Sequence, residues 1–299
     1  RLIIGEISRD KPLRHRPVKI PISPEQLRKQ NAVVVLLDCE FAGHDPFAPL
    51  VSIDATEAAS ALRQACLADL AAKLSVWSVY TSVFLVSDQT VRETTPALLE
   101  SYAHLEFGRG GSANSNPPAS FRDGATQVLE AVWEQGFRRV VFVDGFAPTL
   151  PAGALRDVFE WLWERDLVLG PTPAGGCYLL GLRDLQTQIL PAGTWRQRDA
   201  FRSIVTGATD AGLSMQLTDI WPRIEAPADL PFLEALLTAR SQTGQARRIG
   251  FEGIHLFEAL RSIVESEVAA ETEPGRRASV TRVLAKWGAR TTGDPEPEH

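Results

Sequence analysis

Two apolar runs constrain this chain more than any other feature: Ala32-Val33-Val34-Val35-Leu36-Leu37 and Val140-Val141-Phe142-Val143. Neither alternates between apolar and polar residues, as a half-exposed strand does. Each therefore reads as a strand buried on both faces, the pattern of a parallel sheet covered by helices on both sides. Each run also ends on an aspartate, Asp38 and Asp144. Ligands of open parallel sheets bind at the carboxyl ends of the strands, so these two acids are the first candidates for chemistry.

The segments between the strands are helical in pattern. Asp54 is a suitable N-cap for a helix running to Lys73, with Ala58, Leu62, Ala65 and Leu70 on its apolar face. Val79–Val86 reads as a second strand. Phe121–Gln135 reads as a helix closed by Gly136, and Ala152–Arg165 as another. Leu167–Gly170 is a further strand. Alternation of this kind implies an α/β fold with a mostly parallel sheet. Residues 1–31 are basic and punctuated by proline, and read as an N-terminal arm with a short helix at 24–30. The main domain spans 32–240. Residues 241–299 read as a C-terminal helical extension, with helices at 251–268 and 278–287 and a disordered acidic tail from Gly293. Residues 107–120 (FGRGGSANSNPPAS) read as a mobile loop rather than a boundary, because the alternation resumes at once.

Composition narrows the function classes. A net charge of -6 over 299 residues argues against a general nucleic-acid or membrane-surface binder. No apolar run approaches the roughly 20 residues that span a bilayer, and no signal-peptide pattern is present in the sequence given. The three cysteines, Cys39, Cys66 and Cys177, lack any C-x-x-C spacing, so neither a zinc site nor a disulfide framework is indicated. The expected location is the reducing cytoplasm.

The stretch Gly170-Pro171-Thr172-Pro173-Ala174-Gly175-Gly176-Cys177-Tyr178-Leu179-Leu180-Gly181-Leu182 joins one strand to another through a Pro/Gly loop. Paired glycines admit a backbone approach that a Cβ would block, often beside a ligand. Upstream lies Asp144-Gly145-Phe146-Ala147-Pro148-Thr149-Leu150-Pro151. Downstream come Trp195-Arg196-Gln197 and Arg223-Ile224-Glu225-Ala226-Pro227-Ala228-Asp229-Leu230. In order and spacing, these landmarks over residues 120–232 resemble the glycosyltransferase family typified by arsenosugar-biosynthesis enzymes, long catalogued as a domain of unknown function. The resemblance implies a GT-A-like nucleotide-diphospho-sugar transferase fold with helices on both faces of the sheet. It further implies a nucleotide-diphosphate sugar as donor, a small acceptor, and Mg²⁺ or Mn²⁺ held by carboxylates.

This sequence departs from the family pattern at the chemistry. Phe146 and Ala174 stand where the family has aspartates, and Arg223 and Glu225 stand where its last motif has two more. The loop after the first strand, Asp38-Cys39-Glu40-Phe41-Ala42-Gly43-His44-Asp45-Pro46, carries three acids and no Lys or Arg. A phosphate cradle needs cations and free backbone N–H groups, so this loop suits one poorly.

On the resemblance, Asp144 and Glu225 are the surviving metal carboxylates, Gly175 and Gly176 line the donor pocket, and Trp195 stacks on a sugar or base. Each has a plainer reading. Asp144 would make an Asx-turn or cap, Glu225 would pair with Arg223, and Asp229 would cap the helix after Pro227. The glycines would form a tight turn and Trp195 would pack in the core. His44, Arg109 and Arg122 would be solvated surface groups, rather than a base or diphosphate ligands. Three functions follow: a glycosyltransferase with an altered metal site, a noncatalytic relative acting as partner or regulatory subunit, or a nucleotidyltransferase. The apolar faces of the last two helices suit a homodimer or another protein partner.

Overall fold

The buried runs of the sequence form the two central strands of a seven-stranded sheet. The computed structural model describes residues 23–37, 46–51, 55–87, 102–106, 120–242 and 253–270. The strands are β1 (Asn31–Leu36), β2 (Ser82–Ser87), β3 (Ala103–Glu106), β4 (Arg139–Asp144), β5 (Leu167–Pro171), β6 (Cys177–Leu182) and β7 (Met215–Leu217), in the order β3-β2-β1-β4-β6-β5-β7. All pairings are parallel except those of β6, which runs antiparallel to both β4 and β5. Every residue of β1 and of β4 is buried. The fold class is therefore α/β with a mostly parallel sheet, as the apolar runs require.

Alternate residues of the central strands feed two separate cores. Val34, Leu36, Val140 and Phe142 face α4 (Phe121–Glu134) and α6 (Ala200–Asp210), whose Phe121, Val128, Val132 and Ile204 are buried with them. On the other face, Val33, Val35, Val141 and Val143 meet α3 (Thr56–Trp77) and α5 (Ala154–Trp161) through Leu70, Leu74, Trp77, Leu155 and Val158. Two further short helices, α1 (Pro24–Arg28) and α2 (Ala48–Val51), precede α3. The first is closed by a Ser23–Gln26 capping box.

A third apolar cluster brings the C-terminal part onto the domain. Helix α7 (Leu230–Gln242) contributes Leu230, Leu233 and Leu237, and α8 (Ile254–Ala270) contributes Leu256 and Leu260. They pack with Phe47, Leu62, Cys66, Phe146 and Ile224. The apolar face at 256–260, expected to be available to a partner, is thus directed inward. The start of α8 is tied down by a carboxylate from another helix. Asp69 of α3 accepts from the His255 and Leu256 backbone N–H groups, both at 3.0 Å. These are among the N–H groups that a helix leaves without internal partners at its N-terminus.

Several limits differ from the sequence expectation. Helix α3 runs four residues beyond Lys73, and β2 starts at Ser82 because 78–81 form the turn. Helix α5 is confined to 154–161, and β3 was not foreseen. The 1–22 part of the arm, the 38–45 loop with Asp38, Cys39 and His44, Asp54, the 107–119 loop with Arg109, the helix at 278–287 and the acidic tail lie outside the described residues. No helix among the described residues is long and apolar enough to cross a membrane.

The Asp69 tie gives a direct test. Asp69→Ala should cost about 1–2 kcal/mol of stability in urea unfolding, the loss of a capping acceptor. Hydrogen exchange should speed first in 254–260, before the sheet is affected.

Candidate functional site

Strand β4 delivers Asp144 to the carboxyl end of the sheet, paired in register with Leu36 of β1. The chain then turns, and the Phe146 N–H donates to Asp144 Oδ1 at 2.8 Å, an Asx-turn. Two arginines converge on the same carboxylate. Arg196 donates from Nε to Oδ2 at 3.0 Å and from Nη2 to Oδ1 at 3.1 Å, a two-pronged fork. Arg223 donates from Nη1 to Oδ2 at 3.0 Å. The Asp144 side chain is 0% exposed, Arg223 is 1% and Arg196 is 9%. Burial alone would raise the Asp144 carboxyl, but Arg196 and then Arg223 outweigh it and hold it below its ordinary value.

Arg223 also reaches two other oxygens. Its Nη2 donates to the Arg196 carbonyl at 3.0 Å and lies 3.1 Å from Glu225 Oε1, while its Nε donates to that same oxygen at 3.2 Å. The extended segment carrying Arg223 and Glu225 is fixed by the Ile224 N–H, which donates to the Phe146 carbonyl at 2.9 Å. Asp229 accepts from the Glu225 and Ala226 N–H groups at 2.7 and 2.9 Å, and so caps the turn that precedes α7.

The glycine pair lies against the same segments. Gly175 has φ of 91°, and a Cβ there would stand 2.2 Å from the Arg198 carbonyl oxygen. A Cβ on Gly176 would meet the Trp195 and Arg196 carbonyl oxygens and Arg223 Nη2 at 3.0–3.2 Å. The close approach that demands glycine is therefore to residues 195–198 and Arg223 of the chain itself. Trp195, proposed as a stacking platform, is 1% exposed and stacks on Phe121 at 6.3 Å. Arg122 Nε donates to the Leu190 carbonyl at 2.7 Å.

These residues do not fit a divalent cation held by Asp144 and Glu225. A carboxylate offers about four lone-pair directions. Asp144 receives four N–H donors, three of them from guanidinium groups. Among the described residues, no group of three or more His, Cys, Asp or Glu is placed to hold a metal ion. The two residues that dominate the site, Arg196 and Arg223, were not proposed for it. The hint in the sequence was the expected pairing of Arg223 with Glu225.

Comparison with known proteins adds the following. A family model described as an uncharacterised protein conserved in bacteria (DUF2064) matches residues 91–204. No curated protein matches the chain. Among solved structures, the chain is similar to a protein from Desulfovibrio desulfuricans G20 assigned as a nucleotide-diphospho-sugar transferase. The TM-score is 0.60 at 16% identity, covering 81% of this chain and 95% of that one. It also matches CMP:2-keto-3-deoxy-manno-octonic acid synthetase complexed with CTP, at a TM-score of 0.44 and 11% identity, covering 71% of this chain and 99% of that one. The chain therefore has a nucleotide-diphospho-sugar transferase-like fold.

Removing the shared carboxylate should be severe. Asp144→Ala takes from two buried guanidiniums the carboxylate they share, a loss of about 3–5 kcal/mol in urea unfolding. The sign of the pH effect follows from the lowered folded value. The Asp144 contribution is complete above the ordinary aspartate value near 3.9 and is lost as pH falls below it. Wild-type stability should drop as pH is lowered below about 4, and the drop should be shallower in Asp144→Asn.

Proposed function

We propose that this chain is a noncatalytic relative of the nucleotide-diphospho-sugar transferases, one that uses the fold as a protein partner or regulatory subunit. One observation carries this reading: the carboxylate at the ligand-facing end of β4 is saturated by the Phe146 N–H and two arginines. Metal-dependent transfer at this place would require Asp144 to release both guanidiniums inside a buried site. Breaking a buried pair without replacement costs about 3–5 kcal/mol, which donor and metal together would have to offset. The 38–46 sequence, with three acids and no Lys or Arg, offers a diphosphate nothing in return.

A second reading rests on the likeness to the assigned transferase, together with the place of Asp144 at the strand end. In it the chain transfers a sugar from a nucleotide-diphosphate donor to a small acceptor through an altered metal site. Positive charge at the departing diphosphate is the main catalytic need of such a reaction. Arg196 and Arg223 carry charge of the right sign, but Arg223 donates to the Asp144 and Glu225 carboxylates and the Arg196 carbonyl. Nucleotidyl transfer would need a Gly-rich, cation-bearing loop after β1, and the 38–46 sequence is not one.

Thermal melts with UDP, GDP and dTDP, each with and without Mn²⁺, separate these readings. A ligand that binds the folded state raises its stability by mass action, about 2.7 kcal/mol at one hundred times Kd. The expected result is no nucleotide-dependent rise at millimolar concentration, with or without metal. A rise that needs Mn²⁺ and disappears in Glu225→Gln would establish the transferase reading instead.

A further inference from the structure

Four chain segments converge here on one side chain. The end of β4 brings Asp144. The 195–198 segment brings the Arg196 carbonyl, the 223–225 segment brings Glu225, and the glycine loop brings Gly176. Each meets Arg223. Its guanidinium has Asp144 Oδ2, the Arg196 carbonyl oxygen and Glu225 Oε1 at 3.0–3.1 Å. Two carboxylates and a carbonyl are a hard, all-oxygen set, the kind that Mg²⁺, Mn²⁺ or Ca²⁺ accepts.

We infer that Arg223 is this chain's built-in cation: its guanidinium fills a three-oxygen cation site and supplies the charge that a bound ion would otherwise supply. Charge balance agrees. Among the described residues, Asp144 and Glu225 contribute -2 to the cluster and Arg196 and Arg223 contribute +2. Without Arg223 the same cluster carries -1 at a buried place. Shape agrees as well, because a Cβ on Gly176 would lie 3.2 Å from Arg223 Nη2. The bare backbone at 176 makes room for the guanidinium. The inference goes beyond the proposed function, since a fixed internal cation is compatible with a partner role or with metal-free chemistry.

An ordinary buried ion pair makes a different prediction from a filled cation site. Loss of Arg223 from a mere pair leaves a destabilised protein indifferent to metal. Loss of Arg223 from a cation site leaves a vacancy that an added cation can fill. The experiment compares the full-length wild type, Arg223→Ala and Arg223→Ala/Glu225→Gln. Bound Mn²⁺ is read by electron paramagnetic resonance, and the melting temperature is read with and without Mn²⁺.

The expected result has three parts. Wild type binds no Mn²⁺ at the site and its melting temperature does not respond. Arg223→Ala melts lower, binds Mn²⁺, and regains roughly 2 °C at tenfold excess over Kd. The double variant loses most of that recovery. If Arg223→Ala does not fold in buffer alone, refolding is attempted with Mn²⁺, and recovery of the folded signal counts as binding. A folded Arg223→Ala that ignores Mn²⁺, an unfolded one that Mn²⁺ does not rescue, or a double variant that responds as well as the single one overturns the inference. No nucleotide is present, so failure here is distinct from failure of the proposed function.

Discussion

The Asp144 carboxylate is the interaction on which the ligand-facing end of this molecule depends. An ionised aspartate removed from water carries an effective penalty of several kcal/mol, and mutual attraction repays it only when geometry and hydrogen bonding are complete. Here they are complete, with two donors on each oxygen. The consequence is structural as much as electrostatic. Arg196 and Arg223 come from segments 27 residues apart, and the carboxylate between them holds both in register with the end of β4. Arg223 then passes the constraint to Glu225 and, through the Arg196 carbonyl, to the segment against which the glycine loop packs.

A second set of contacts fixes the loop after β4 from the side of α3. Lys73 Nζ donates to the Ala147 carbonyl at 2.8 Å, and the Trp77 indole N–H donates to the Ala152 carbonyl at 2.8 Å. One turn before Lys73, Asp69 holds the start of α8. The Trp221 indole N–H reaches Thr149 Oγ1 at 3.1 Å, and Gly253 at the entrance to α8 stands close to the same threonine. The C-terminal helix, α3 and the loop are therefore linked by short buried contacts. Loops that open and close over substrates come from regions with few such ties. The bonds around 145–152 favour a fixed surface over a moving lid.

The sheet was legible in the sequence because its signal is local. Val33–Leu36 and Val140–Val143 cannot be placed at a half-exposed position without stranding apolar surface, so the central strands and their parallel pairing followed directly. Strand β3, four residues with little apolar pattern, carried no such signal. The site was legible only as a location. Asp144 and the Arg223–Glu225 pairing could be read from neighbours in sequence. The contact of Arg196 with Asp144 spans 52 residues and depends on how the glycine loop folds back, which periodicity does not report. Trp195 shows the same limit, since it stacks on Phe121, a residue distant in sequence at the start of α4.

The glycine pair then takes on a different meaning. A Gly-Gly turn at the carboxyl end of a sheet suggests space kept open for a ligand. Here the space is already filled, by the Arg198 carbonyl beside Gly175 and by Arg223 beside Gly176. An alanine at 176 would press on the guanidinium and the two carbonyls that frame it, so the glycine and the arginine are physically coupled.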